Sequence, residues 1–203
     1  LSTDDEGKAF EIAQRLDVYN KERRSIEADC LQSATNIVES SDNENFAYVS
    51  STEWHPGVIG IVAGRLRERF NRPACVVAYD GDQGKGSGRS VKGFDLGAAI
   101  VAARQAGLVS SGGGHAMAAG FIIQRNNEQS FCSFMAERIG EVQRELTPVY
   151  RIDGAVQPIG ANNEFLTAIE RLAPFGAGNP QPRFVFPKVR VVKAQQVGAD
   201  HVS

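Results

Sequence analysis

From Lys8 to about Ser40 the chain carries neither glycine nor proline, and Phe10, Ala13, Leu16, Ile26, Leu31, Ala34 and Ile37 recur at roughly helical spacing. Thr3-Asp4-Asp5-Glu6 just before has the form of a capping box. Between Tyr19 and Arg24 the apolar stripe lapses, and a long helix without a continuous apolar face suits a connector between domains. After a polar loop, Phe46 to Ser51 alternates like a strand, Pro56 suits a helix start, and Val58, Ile61, Val62, Leu66 and Phe70 predict a helix that Pro73 ends. Ala74 to Ala78 is an unbroken apolar run, expected as a buried strand. Asp80 to Gly88 predicts a glycine-rich hairpin, with strand from Arg89 to Val91 and a helix capped by Asp95 running to Ala106. Gly112-Gly113-Gly114-His115 is expected to open a short helical segment ending near Gly120, followed by a strand over Phe121 to Gln124 and an amphipathic helix from Glu128 to Leu146.

Strands and helices alternating in this way predict an α/β fold: an open mixed sheet flanked by helices, preceded by the long connecting helix. After Pro148 the character changes. Tyr150 to Val156 reads as a strand and Asn163 to Leu172 as a helix, with a Pro/Gly-rich loop over Ala173 to Pro182. Phe184 to Ala194 reads as a strand, and Gln196-Val197-Gly198 as a turn into another, which is the beginning of a β-rich unit. The expected division is a connecting helix over 1–42, an α/β domain over 43–149, and the start of a second, β-rich domain over 150–203. Leu1 at one end and a strand pattern at the other read as cuts in a longer protein.

Composition narrows this picture only slightly. The 203 residues, 42% hydrophobic, suffice for one good core and a second small unit. A net charge of -2 gives no support to a broad phosphate footprint, so nucleic-acid contact must be local or shared with another domain. Cys30, Cys75 and Cys132 are scattered and read as buried thiols in a reducing compartment. No apolar run approaches the ~20 residues of a membrane span, and a cytoplasmic protein without a membrane partner is expected.

Four stretches could carry chemistry, each with a plain alternative. Gly112, Gly113 and Gly114 could turn backbone N–H groups toward a phosphate that His115 also contacts, or form a tight turn with a satisfied histidine. In Gly84-Lys85-Gly86-Ser87-Gly88-Arg89, residues two apart share a strand face, so Ser87 and Arg89, with Lys85 if the strand reaches it, could grip a terminal phosphate. The alternative is a flexible hairpin with a solvated arginine. Trp54 could stack on a base and His55 contact a phosphate as secondary contacts, although a domain-contact turn with a buried tryptophan is favoured. Arg65 and Arg69 share a helix face that reads as solvated surface. Asp and His residues do not cluster into a metal site, so these are grips for a phosphate without the metal centre that phosphodiester hydrolysis normally uses.

Gly112-Gly113-Gly114-His115-Ala116-Met117-Ala118-Ala119-Gly120 resembles the GGGHxxAAG motif of the DHH-associated domain, found in the DHH phosphoesterase superfamily. The stretches from Glu53 to Arg65, Lys85 to Ser90 and Leu172 to Phe184 resemble, in order, those of RecJ-type single-strand-specific DNA exonucleases, and the resemblance spans nearly the whole chain. It implies degradation of single-stranded DNA from the 5′ end, with Mg²⁺ or Mn²⁺ held by a DHH domain upstream of Leu1. On that resemblance no catalytic residue and no metal ligand lies in this chain, which alone is expected to be inactive. Ser87 and Arg89 should hold the 5′-phosphate, His115 and its glycines should contact the nucleotide near the scissile phosphate, and the β-rich unit should be the beginning of an oligonucleotide-binding β-barrel. Single-strand-binding protein and a helicase are implied as pathway partners in DNA repair and recombination. The rival readings are a phosphodiesterase of the same superfamily acting on short oligonucleotides or cyclic dinucleotides, and a tRNA-binding module. The loop and strands after Pro174 weigh against the phosphodiesterase.

Overall fold

The computed structural model describes residues 3–41, 43–142, 151–190, 192–197 and 201–202. The chain divides into two compact units, residues 1–148 and 149–203.

In the first unit a 34-residue helix, α1 (Glu6–Glu39), leads into strand β1 (Ala47–Ser51), helix α2 (Ile59–Phe70), strands β2 (Ala74–Asp80) and β3 (Gln83–Arg89), helix α3 (Leu96–Gln105), strands β4 (Ser111–His115) and β5 (Ala118–Gln124), and helix α4 (Glu128–Val142). Residues 143–146 of the helix expected to run to Leu146 lie outside the described residues. The sheet order is β1-β2-β3-β5-β4; β1 and β2 are parallel and the other pairs antiparallel. This is the open mixed α/β sheet that the alternation of patterns predicts.

Each face of the sheet has its own core. On one face, here called the back, Phe46, Cys75, Val77, Tyr79, Phe121 and Ile123 pack under Leu96 and Ile100 of α3 and Phe131, Met135 and Ile139 of α4. On the front, Ala47, Val49, Ala74, Val76 and Ala78 pack under Val62 and Leu66 of α2 and Ala34 and Val38 of α1. β2 is covered on both faces, which explains its unbroken apolar run. Only the last part of α1 joins this core. Its earlier Phe10, Leu16, Val18 and Tyr19 are exposed, and i,i+4 pairs such as Asp17–Lys21 and Arg23–Glu27 support the helix there.

Several expectations need correction. The cap of α1 is Asp5, whose Oδ1 accepts from the Lys8 amide at 3.0 Å; the predicted box places the cap at Thr3, whose hydroxyl accepts only from Asp5 N. Asp80 to Gly88 does lie in a hairpin, but its second strand begins at Gln83 rather than Arg89. The turn is confined to Gly81 and Asp82, and β3 is a central strand from Gln83 to Arg89. Its glycines all face the back core. A methyl group on Gly84 would come within 2.6 Å of Val77 Cγ1, one on Gly88 within 2.7 Å of Leu96 Cδ2, and one on Gly86 would enter the Phe121 ring. Large side chains of neighbouring elements fill the room that β3 leaves.

The second unit is sparser. Strand β6 (Gly154–Ala155) pairs in parallel with β7 (Phe184–Val185), helix α5 (Asn163–Glu170) is capped by the Asn162 side chain, and Phe165 meets Phe184 edge-on at 4.9 Å. The Pro/Gly-rich loop is tied by Asn179, whose amide donates to the carbonyls of Leu172 and Pro174. The strand expected over Phe184 to Ala194 stops at Val185. Pro187 has no amide to donate and Lys188 turns through a positive φ of 57°. The strand expected over Tyr150 to Val156 is limited to Gly154–Ala155, with Tyr150 outside the described residues. β8 (Gln196–Val197) pairs antiparallel with β9 (His201–Val202).

Two predictions follow from this packing. Gly86→Ala, which forces Phe121 to move, should lower stability by about 1–3 kcal/mol. Gly140→Ala on the open side of α4 should raise it by about 0.5–1 kcal/mol, both read by urea unfolding. Burial pushes the Cys30 thiol up to about 11 and the Cys132 thiol, with Glu128 adding to burial, up to about 12, and Cys75 is driven in the same direction. The folded chain therefore holds these protons more tightly than the unfolded one, whose thiols release them near 9. Stability should be independent of these groups below about pH 8 and fall as pH rises from 9, toward 11 for Cys30 and toward 12 for Cys132, by at most about 1.4 kcal/mol per unit for each thiol. Cys30→Ala with Cys132→Ala should make that fall shallower in urea titrations.

Candidate nucleic-acid interface

Directly paired residues on neighbouring strands share a face, so the registers of β3, β5 and β4 lay out three rows on the front of the sheet. Arg89, Ala118 and His115 form one row; Ser87, Gly120 and Gly113 the next; Lys85, Ile122 and Ser111 the third. The front core is built on β1 and β2 under α1 and α2, and on this side of it Lys85, Ser111, His115 and Gly120 are exposed while Ser87, Arg89, Gly113, Ala118 and Ile122 are partly so. The inward glycines of β3 dictate this arrangement. With Gly84, Gly86 and Gly88 jammed against the back core, Lys85, Ser87 and Arg89 have only the front to occupy.

Arg89 lies partly along its own strand, its Nη1 donating to Ser87 Oγ at 3.3 Å and to the Gly88 carbonyl at 2.9 Å. A guanidinium carries five N–H donors in a planar fork, so most of its donor capacity stays available beside the serine hydroxyl. Gly60, in the first turn of α2, closes over the same pair. A methyl group there would stand 3.2 Å from Ser87 Oγ and 3.3 Å from Arg89 Nη2. Sequence reasoning singled out the stretch containing Gly60 but not this residue, because its partners come from a strand more than twenty residues away.

His115 is brought to the same face as Arg89, but not by a helix. The GGGH segment is the edge strand β4, and Ala116-Met117 is the turn into β5. The expected helical segment and its dipole are therefore absent. Successive strand amides point alternately to opposite sides, so the three glycine N–H groups do not converge on one point. The turn is fastened from below, with Ser90 N donating to the Met117 carbonyl at 2.9 Å and Leu96 N to the Ala116 carbonyl at 3.1 Å. Gly97 lets the start of α3 approach the Gly114–His115 backbone, where a methyl group would meet it at 3.0 Å. One strand, β5, lies between Arg89 and His115, which puts their backbones two strand spacings, about 9–10 Å, apart.

The remaining candidates do not join these rows. Trp54 is 7% exposed and part of the front core, which rules out base stacking by this residue and agrees with the favoured buried reading. His55 is exposed and its Nδ1 accepts from the Gly57 amide at 3.0 Å. Arg65 and Arg69 are exposed and paired with Glu68 and Glu39. Among the described residues no three or more His, Cys, Asp or Glu side chains gather where a metal ion could be held, so no metal-assisted step is assigned to them. No helix among them is long and apolar enough to cross a membrane.

A family model described as the DHHA1 domain matches residues 43–141, and one described as the RecJ OB domain matches 152–203. The single-stranded-DNA-specific exonuclease RecJ of Bacillus subtilis is 31% identical over 205 residues, covering 98% of this chain and 26% of that protein. That of Escherichia coli is 31% identical over 216 residues, covering all of this chain and 37% of that protein. The crystal structure of RecJ in complex with Mg²⁺ from Thermus thermophilus superposes with a TM-score of 0.74 at 29% identity, over 98% of this chain and 31% of that one. A Mn²⁺ complex from the same organism matches with a TM-score of 0.75 at 29% identity, over 98% and 30% of the two chains. The chain thus spans between 26% and 37% of the length of these relatives. With the DHHA1 and RecJ OB matches in this order, and both relatives aligned over essentially all of its length, the chain corresponds to the DHHA1-to-OB portion of RecJ-type proteins.

Proposed function

We propose that the front face of β3, β5 and β4 holds the 5′-phosphate end of single-stranded DNA for a metal-dependent 5′→3′ exonuclease. The observation that carries this reading is the Arg89–Ser87 pair. A guanidinium rests against a hydroxyl on an open face, under the first turn of α2 and one row from two bare glycines. A terminal phosphate is met by such a fork and hydroxyl through short charge-assisted bonds. Lys85 and His115 extend positive or donor character along the two outer rows. In this reading His115, Gly112, Gly113 and Gly114 border the nucleotide next to the scissile phosphate, with His55 a secondary contact at the edge.

On the same reading, residues 1–42 connect to a DHH domain carrying the Mg²⁺ or Mn²⁺ ions, 43–149 grip the DNA, and 150–203 begin an oligonucleotide-binding barrel. Cleavage then belongs to the whole protein and not to these residues by themselves. The cytoplasm is the expected compartment, with single-strand-binding protein and a helicase as pathway partners. The RecJ OB match over 152–203 supports this over a phosphodiesterase of short oligonucleotides or a tRNA-binding module.

Fluorescence anisotropy at low salt, with single-stranded DNA bearing either a 5′-phosphate or a 5′-hydroxyl, tests the reading in this chain and in the full-length protein. The phosphate should strengthen binding, and Arg89→Ala should abolish that preference. Loss of a charge-assisted bond costs about 1.5–3 kcal/mol, roughly ten- to a hundredfold in affinity. Equal affinity for both ends in the full-length wild type would remove the phosphate site. Gly60→Ala should act on the same readout, lowering the phosphate preference by displacing the guanidinium while leaving affinity for the hydroxyl end within about twofold. An unchanged preference would show that α2 does not position Arg89.

A further inference from the structure

The glycines of β4 and β5 are of two kinds. At Gly112 and Gly114 the space that a side chain would need is filled by the chain itself. A methyl group on Gly112 would come within 2.7 Å of Ile100 Cγ2 and 2.9 Å of Phe121 Cβ, and one on Gly114 would run into the Ala118 carbonyl and meet Ala119 Cα at 2.5 Å. Gly113 and Gly120 are different. A methyl group on Gly113 would have nothing within 4 Å, and one on Gly120 would meet only the Gly86 carbonyl oxygen, at 3.8 Å. Neither residue has a left-handed φ. Nothing in the described chain requires glycine at these two positions, where glycine weakens a strand and a β-branched residue strengthens it.

The two are cross-strand partners, in the row that begins with Ser87. Gly120 also helps to line a shallow depression of about 250 Å³ with Lys85, Ile122 and Ser111. The floor beside the phosphate grip is therefore bare main chain, with the apolar side chains of Ala118 and Ile122 to either side of Gly120 on the same strand face. We propose that Gly113 and Gly120 are specificity-determining residues whose task is clearance: they let the deoxyribose of the end nucleotide lie directly on the sheet while its phosphate reaches Arg89 and Ser87. The inference rests on the phosphate reading above. The carbon face of a sugar suits bare backbone flanked by Ala118 and Ile122. A side chain at either glycine would stand where the sugar lies and block a polynucleotide, while leaving room for a free phosphate ion.

The test uses Gly120→Val and Gly113→Val, with Gly120→Ala as a milder variant. Each is followed by thermal unfolding and by amide NMR shifts with two probes, inorganic phosphate and 5′-phosphorylated tetrathymidylate. The unfolding midpoint should stay the same or rise. Inorganic phosphate should still shift the Ser87 and Arg89 amides, while tetrathymidylate binds at least tenfold more weakly to the valine variants and to an intermediate degree to Gly120→Ala. Tetrathymidylate binding within twofold of wild type in both valine variants would overturn the clearance role and leave the phosphate reading intact. A midpoint lowered in both Gly120→Val and Gly120→Ala would show that the chain itself needs glycine there and would also overturn it. Wild-type chain whose Ser87 and Arg89 amides ignore inorganic phosphate would remove the phosphate site, and this inference with it.

Discussion

The Phe121 ring lies over Gly86, and the geometry of the interface follows from that contact. A strand alternates its side chains with a period of two, so one residue locked against the core assigns a side to every other residue of the strand. Phe121 fills the space over Gly86, Val77 and Tyr79 crowd Gly84, and Leu96 and Cys75 crowd Gly88. A slip of β3 by one residue would drive Lys85, Ser87 and Arg89 into an apolar core beneath α3 and α4. Charged side chains are almost never buried without partners, because desolvation costs several kcal/mol. The packing of the back face and the cationic character of the front face are thus two results of one register.

Net charge conveys little about this region because its cationic groups are few and local. Lys85 and Arg89 share the front of β3, and the three rows that begin at Lys85, Ser87 and Arg89 contain no carboxylate. Acidic residues elsewhere, many of them along α1, bring the total to -2. Among the other basic residues, Arg65 and Arg69 on α2 have carboxylate partners. A global charge count averages these regions together, whereas a bound phosphate responds to charges within about a Debye length, ~10 Å at 0.1 M salt.

Much of the architecture could be read from local pattern, because most elements carry their own period. α1 and α3 lie within about two residues of the stretches that their apolar spacing marks, and the Asp95 cap of α3 accepts from Ala98 N as its type suggests. The errors fall where the deciding contact is remote. Glycine in β3 suggests a turn until Phe121 and Leu96 are known to occupy its missing side chains. The Gly112–His115 segment suggests a helix start because a run of glycines has no apolar period to report a strand; pairing with β5 and packing by Ile100 make it one. Of the site, the shared face of Ser87 and Arg89 was legible from spacing alone. Its approach by Gly60 was not, and neither was the burial of Trp54 among α2 and β-sheet residues.

The bonds from Ser90 N to the Met117 carbonyl and from Leu96 N to the Ala116 carbonyl tie the exit of β3 and the entry of α3 to the turn between β4 and β5. Together with the β3–β5 and β5–β4 ladders they close a bracket of main-chain bonds around Arg89, Ala118 and His115. No side chain of that row is part of the bracket. The span between the arginine and the histidine is a gauge made of backbone alone, and substitutions in the row change what the jaws of the caliper are made of while leaving its opening as it was.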